Sequence, residues 1–118
     1  MRFDPLPAAP VMGRGRRAPG ERLAEALLIL SGGRGRITRQ SEANWASITF
    51  AGTRHSFDIV FEGEAAVEVG EDFVADLADH EFGIPGRLVA DAEVTKVDHR
   101  SAPPLMKVTC ELLLIDEG

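Results

Sequence analysis

The sequence predicts an α+β fold, a two-layer sandwich in which two helices cover one face of a mostly antiparallel, five-stranded sheet. Two observations predict this class. Several stretches alternate apolar and polar residues with a period of two, which is typical of strands, and two stretches repeat apolar residues every three or four positions, which is typical of helices. Along the chain, the elements are predicted in the order α-β-β-β-α-β-β.

The length of 118 residues leaves room for one domain, which we place at residues 20–118. Residues 1–19 are rich in proline, glycine and arginine. Proline removes backbone donors and glycine raises the entropy lost on ordering, so this segment is predicted to be a flexible extension.

Charge is distributed unevenly along the chain. Residues 1–40 hold eight basic and three acidic residues, whereas residues 41–118 hold five basic and 16 acidic residues. The only basic patch in the extension is Arg14, Arg16 and Arg17. This patch is predicted to belong to a solubilising tail. The alternatives are contact with an acidic surface of this protein or of a second subunit, and contact with nucleic acid, which is the less favoured partner.

The first helix is predicted at Glu21–Leu30, followed by a stop at Ser31-Gly32-Gly33, where glycine can adopt the left-handed conformation that ends helices. One face of this helix is apolar at helical spacing: Leu23, Ala26, Leu27 and Leu30. The next element, Arg34–Glu42, is predicted to be a polar strand at the sheet edge, where arginine side chains discourage pairing with another sheet.

A β-hairpin is predicted at residues 44–61, and the rest of the sheet is expected to form around it. Mostly apolar residues occupy alternate positions: Ala46, Ile48 and Phe50 in the first arm, and His55, Phe57, Ile59 and Phe61 in the second. The turn is predicted at Ala51-Gly52-Thr53 with a two-residue loop. This loop pairs Ile48 with His55 or Phe57 and keeps both sets on one face, whereas a one-residue slip would separate them.

The second half of the chain is predicted to add one helix and two strands. Residues 64–69 are interpreted as a connection, and the helix is placed at Gly70–Asp79. The strands are placed at Arg87–His99 and Leu105–Ile115. Because the last strand is apolar on both sides, it is predicted to be either a central strand or a strand whose second side is covered by a partner.

The one tryptophan, Trp45, is predicted to lie on the polar face of the hairpin. The residues expected on that face with it are Ser47, Thr49, Ser56 and Asp58. A large aromatic side chain among polar ones indicates an anchor for a ligand or a partner. The alternative is that a loop or the N-terminal extension covers it.

A second candidate site is a pocket between the sheet and the helices, with His55, Asp91 and Glu93 at its rim. Histidine titrates near neutral pH, and two carboxylates two positions apart on a strand have a separation that suits acid-base chemistry. The competing interpretation is a structural histidine and a solvated strand face. No catalytic residue, metal site or cofactor is predicted, because no two histidines have ligand spacing and Cys110 lies in an apolar stripe.

The function predicted from these features is a binding or assembly module without a recognisable catalytic site, forming a homo-oligomer through the C-terminal strand. The alternatives are a small-ligand protein or enzyme using the pocket, and weak nucleic-acid binding through the arginine-rich N-terminus. The absence of a secretory signal, of a membrane-spanning apolar run and of a second cysteine favours a soluble, cytoplasmic protein with no membrane partner.

Overall fold

The structure, a computed structural model, describes residues 18–117. These residues form two α-helices and a four-stranded antiparallel sheet, so the chain is α+β with two helices, but it has four strands where five were predicted. In chain order the elements are α1 (Pro19–Leu30), β1 (Gly35–Ala46), β2 (Ala51–Glu62), α2 (Glu64–Asp76), a 3₁₀ turn (Leu77–Asp79), β3 (Arg87–Ser101) and β4 (Pro104–Asp116).

The prediction of five strands is wrong because two predicted strands are one. The polar strand placed at residues 34–42 and the beginning of the first hairpin arm form the continuous strand β1. It pairs with β2 from Gly35, opposite Phe61, to Ala46, opposite Ala51, with one irregularity between Ile37 and Arg39. The polar stretch and the mostly apolar one belong to the same strand because both pair with β2 in the same ladder of backbone hydrogen bonds.

The predicted position of the hairpin turn is also wrong. The turn lies at residues 47–50, where the Ser47 N–H donates to the Phe50 carbonyl at 2.8 Å. The Ser47 hydroxyl oxygen also accepts hydrogen bonds from the N–H groups of Phe50 (3.0 Å) and Thr49 (3.3 Å). Serine therefore closes this turn through its side chain, which is a local interaction that competes with continued strand pairing.

This shift of the turn changes the partners of the apolar residues. His55 pairs with Glu42, and Phe57 pairs with Gln40, instead of either pairing with Ile48. Ile48 is fully exposed at the hairpin tip. The alternation of β2 itself is confirmed, because Phe57 and the residues in phase with it face the core.

The sheet has the strand order β1-β2-β4-β3, and both helices lie on one of its faces, which we call the helix face. Leu23 and Leu27 of α1 and Phe73 of α2 pack there against fully buried side chains of the two central strands. Those side chains are Phe57, Ile59, Phe61, Val108, Cys110, Leu112 and Leu114. The central position predicted as one alternative for the last strand is therefore observed.

The second helix begins earlier than predicted, at Glu64 instead of Gly70. Gly63 adopts a φ of 94°, which turns the chain out of β2 directly into α2. Gly70 lies inside the helix, where a Cβ would come within 2.9 Å of both the Met106 sulfur and the Phe61 ring. This glycine allows the helix to approach the sheet closely, so its role is packing and not helix initiation.

Two bulges in β3 change which of its residues share a face. The register with β4 shifts between Val89 and Asp91 and again between Val94 and Lys96. As a result Val89 and Val94 both pack against the core, although a strict alternation would put them on opposite sides. Assigning faces by alternation along β3 therefore goes wrong after each bulge, because the extra residue reverses the order of the two faces.

The sheet is much longer than the helices that cover it. Its strands have 12 to 15 residues, so they run about 40–50 Å, whereas α1 has 12 residues and is about 18 Å long. The β1–β2 tip and the last residues of β3 are exposed beyond the helix layer. Neither helix within residues 18–117 is long and apolar enough to span a membrane. The predicted extension, residues 1–19, lies outside the described residues except at its last two positions.

Candidate functional site

The sheet face away from the helices, which we call the open face, is organised as rows of side chains across the four strands. Pairing places Ser41, Ser56, Glu111 and Glu93 in one row. The neighbouring row contains Arg39, Asp58, Thr109 and Lys96. These rows are polar and lie near the middle of the sheet.

Asp58 is the centre of a hydrogen-bonded network on the open face. Arg39 Nε donates to Asp58 Oδ2 at 2.9 Å, and Arg39 Nη2 donates to Oδ1 at 3.2 Å. The Thr109 hydroxyl donates to Oδ1 at 2.7 Å, and Lys107 Nζ lies 3.8 Å from Oδ2. Arg39 Nη2 also donates to the Ser56 hydroxyl at 2.9 Å. One carboxylate therefore joins β1, β2 and β4.

The network accounts for the low exposure and the charge of Asp58. Only 8% of this residue is exposed, although it lies on the face opposite α1 and α2. The hydrogen bonds from Arg39 lower the pKa of the Asp58 carboxyl, burial opposes this, and the Thr109 hydroxyl and the Lys107 charge lower it further. Because both oxygens of the carboxylate accept hydrogen bonds within the chain, we assign Asp58 a structural role in this network.

One end of the open face is apolar. A row across the sheet contains Trp45, Gly52, Ile115 and Leu88, and Leu113 lies in the next row. Leu113 and Ile115 are buried, Trp45 is half-buried, and Leu88 is 53% exposed. We call Trp45, Leu88, Leu113 and Ile115 the apolar end. The hairpin tip, with exposed Ile48 and Phe50, is at the same end of the sheet.

The structure keeps two of the four residues predicted to share a face with Trp45 on that face. Ser56 and Asp58 lie on the open face with Trp45, in the polar rows near the middle of the sheet. Ser47 and Thr49 lie in the turn, so strand alternation does not apply to them. Trp45 is therefore next to apolar strand residues instead of a line of hydroxyl groups, and its role as an anchor stays a prediction.

His55 lies on the helix face, below the N-terminal end of α1, beside a cavity of about 440 Å³. Its side chain is 1% exposed, and Nε2 is 2.8 Å from the Thr53 hydroxyl. Nδ1 is 3.7 Å from Glu42 Oε1, which is beyond hydrogen-bond distance, and it has no hydrogen-bond partner among residues 18–117. The residues that line this cavity include Ala18, Gly20, Glu42, His55, Arg87 and Asp116.

Burial lowers the pKa of His55, and the nearby Glu42 carboxylate partly opposes this effect. The imidazole is therefore neutral near pH 7, with a proton on one nitrogen only. If Nε2–H donates to the Thr53 hydroxyl, the lone pair of Nδ1 is left as an unused acceptor in a buried position.

The other two residues of the predicted pocket rim do not join His55. Asp91 pairs opposite Leu113 and Glu93 opposite Glu111, so both lie exposed on the open face, on the other side of the sheet. Glu42 and Gly20 are among the residues that do surround His55. No local sequence pattern predicts this contact, because Gly20 in α1 and Glu42 in β1 are about 20 positions apart and only the packing of the two elements brings them together.

The remaining predicted groups are the basic patch and the cysteine. The basic patch, Arg14, Arg16 and Arg17, lies outside the described residues. Burial raises the pKa of the Cys110 thiol to about 12, which keeps it protonated. Among residues 18–117, no group of three or more histidine, cysteine, aspartate or glutamate side chains is placed to hold a metal ion.

The fold is similar to that of a chain in a solved structure. A chain from the virion of a native gene transfer agent particle aligns with a TM-score of 0.52 and 14% sequence identity, covering 86% of this chain and 92% of that chain. At this identity the similarity shows a common fold over nearly the whole of both chains. No family model matches the sequence, and no curated protein matches it.

Proposed function

We propose that this protein is a structural subunit that associates with further copies of itself, as a component of a larger protein particle. The similar chain is part of a virion, and it matches this chain over almost its full length. This fold similarity supports an assembly role. The surface of this chain supports the same role independently.

The observation that carries the proposal is the apolar end together with the hairpin tip. Leu113 and Ile115 form a buried apolar floor there, next to half-buried Trp45. Phe50 and Leu88 are 57% and 53% exposed at the same end of the sheet, and Ile48 is fully exposed. Apolar side chains grouped at one end of a sheet, outside the helix layer, are typical of a surface that another chain covers.

The C-terminal strand takes part in the proposed contact through its face. Both edges of β4 are paired, to β2 and to β3, so it has no free backbone groups for a further strand. Its Leu113 and Ile115 instead form the buried base of the apolar end, on which the exposed Leu88 lies. Among residues 18–117 the outer strands of the sheet are β1 and β3, where charged residues such as Arg36 and Lys96 discourage pairing between sheets.

The test is sedimentation velocity over a wide range of protein concentrations, comparing Leu88→Ser and Phe50→Ser with the unaltered protein. We expect the unaltered protein to associate as its concentration rises, and we expect each substitution to move association to higher concentration. The matched control is Ile29→Ser, which replaces an apolar side chain that is 73% exposed on α1. It is expected to leave association unchanged.

A protein that stays monomeric over the whole range would contradict the proposal. Association that responds equally to Ile29→Ser would contradict the assigned surface. The other predicted functions, small-ligand binding, enzyme activity and nucleic-acid binding, remain predictions. The cytoplasm is the compartment in which we propose that assembly takes place, since a lone buried thiol needs no oxidising environment.

A further inference from the structure

The cavity beside His55 lies on the helix face, between the N-terminal end of α1 and the β1–β2 hairpin. Residues 18–20 line it from α1, and Glu42, Thr53 and His55 line it from the strands. As bounded by residues 18–117, its volume is about 440 Å³, and pockets for small organic ligands have roughly 300–1,000 Å³. The cavity therefore has room for a small organic molecule and not only for a single ion.

His55 presents an unpaired ring nitrogen at this cavity. The residue is 1% exposed, and its Nδ1 has no hydrogen-bond partner among residues 18–117. A buried polar atom without a partner is unfavourable, so such atoms usually have one. The Thr53 hydroxyl, 2.8 Å from Nε2, can donate or accept, so Nε2 keeps this contact while Nδ1 presents its lone pair. An N–H group of a ligand would satisfy Nδ1.

Glu42 places a second acceptor beside the first. Its Oε1 is 3.7 Å from His55 Nδ1, which is too far for a direct hydrogen bond. One nitrogen atom can lie about 2.9 Å from both acceptors at once, so a group with two N–H donors can bridge them. The Glu42 side chain is 58% exposed, so its flexible carboxylate can turn aside and let such a group reach Nδ1.

The charges at the cavity favour a cationic ligand over an anionic one. Two carboxylates line it, Glu42 and Asp116, and Asp116 is already paired with Arg87 at 3.0 Å. Among residues 18–117 the ion-pair partner of Glu42 is His55, which is neutral near pH 7 because burial lowers its pKa. The N-terminal end of α1 disfavours a cation, but it carries only a partial positive charge, whereas Glu42 carries a full negative one.

We propose that this cavity binds a small organic cation with at least two N–H donors, an alkylammonium or an alkylguanidinium. Its N–H groups donate to His55 Nδ1 and to the Glu42 carboxylate, and its apolar part lies against Ala46 and Ala51, which also line the cavity. A metal ion is less suited, because among residues 18–117 no three potential ligand side chains are grouped to hold one. The site does not depend on the proposed assembly, since His55 lies on the helix face and the apolar end on the open face.

The test is a titration of the full chain with n-butylammonium chloride and, separately, with methylguanidinium chloride. Nuclear magnetic resonance follows the ring nitrogens of His55 and the backbone amides of residues 42–46 and 51–55. We expect at least one of these cations to produce a saturable shift of His55 Nδ1 and of these amides. The control is tetramethylammonium chloride, which has the same charge but no N–H group. It is expected to bind at least about tenfold more weakly, because it cannot donate to either acceptor.

A pair of variants locates the contact. Glu42→Gln removes the negative charge next to His55 and should weaken binding by about tenfold, whereas Glu68→Gln, at an exposed carboxylate of α2, should leave it unchanged. The absence of a saturable shift with both cations would overturn the proposal, including the case in which Zn²⁺ alone shifts Nδ1 and indicates a metal site. Equal binding of tetramethylammonium, or equal binding by Glu42→Gln and the unaltered protein, would overturn it as well.

Discussion

Arg39 holds Asp58 at two points: Nε contacts Oδ2 at 2.9 Å and Nη2 contacts Oδ1 at 3.2 Å, from strand β1 to strand β2. The Thr109 hydroxyl continues this contact to β4 at 2.7 Å. A partly exposed arginine thus fixes a nearly buried carboxylate on the sheet face opposite α1 and α2. The arrangement ties three strands together where the core beneath them is apolar.

Asp58→Asn is expected to destabilise the protein by about 1–3 kcal/mol, because an amide keeps one acceptor but places an NH₂ group against Arg39 or Thr109. Chemical denaturation followed by circular dichroism measures the loss. The matched control is Glu62→Gln, which changes an exposed carboxylate of the same strand, paired with Arg36 at 3.3 Å. That change should cost less than about 1 kcal/mol, and an equal loss in both variants would contradict the role assigned to Asp58.

The same network predicts the response to acid. The pKa of Asp58 is lowered in the folded protein, so the unfolded chain takes up this proton first as the pH falls. The stabilisation is present above pH 4 and is lost progressively below it. Urea denaturation at pH 5, 4 and 3 should show a shallower loss of stability for Asp58→Asn than for the unaltered protein. Parallel curves for the two would argue against this assignment.

His55 predicts a separate effect near neutral pH. Its pKa is lowered by burial, so the unfolded state binds the proton more readily, and the free energy of unfolding should decrease as the pH falls below about 6.5. The contribution is at most about 1.4 kcal/mol per pH unit. His55→Gln should reduce this slope between pH 7.5 and 5.5, whereas His99→Gln, at an exposed position of β3, should retain it.

Gly70→Ala is expected to destabilise the protein even though alanine favours helices by about 1 kcal/mol over glycine. The added methyl group would come within 2.9 Å of the Phe61 ring and of the Met106 sulfur, both buried, and overpacking of this kind costs about 1–3 kcal/mol. Gly83→Ala is the control, since a Cβ there meets nothing within 4 Å. A more stable Gly70→Ala variant would show that α2 can shift away from the sheet.

Much of the core could be predicted from local patterns. Alternation placed Phe57, Ile59 and Phe61 on one face of β2, and helical spacing placed Leu23 and Leu27 on the buried face of α1. The two-sided apolar character of the last strand indicated its central position. These predictions are confirmed because the buried face of a helix or strand follows its own periodicity, and the residues of that one element are enough to show the periodicity.

The elements that sequence reasoning placed wrongly depend on competition between distant segments. Ile48 and Phe50 continue the alternation of the first arm, but the turn at Ser47 removes them from the sheet. Gly70 resembles a helix start, yet it is needed because Phe61 and Met106 lie directly below it. The bulges of β3 appear only once its pairing with β4 is known.

The candidate sites show the same division. The sequence by itself determined that His55 faces the helices and that Trp45 faces away from them, because strand alternation decides the side of a residue. Only the tertiary structure decided the neighbours of each. The packing of α1 on β1 places His55 Nδ1 beside Glu42 without a hydrogen-bond partner in the described part of the chain, and the strand order joins Trp45 to Leu88 and Ile115 at one apolar end. Such neighbours lie tens of residues apart in the chain, so no local pattern contains them.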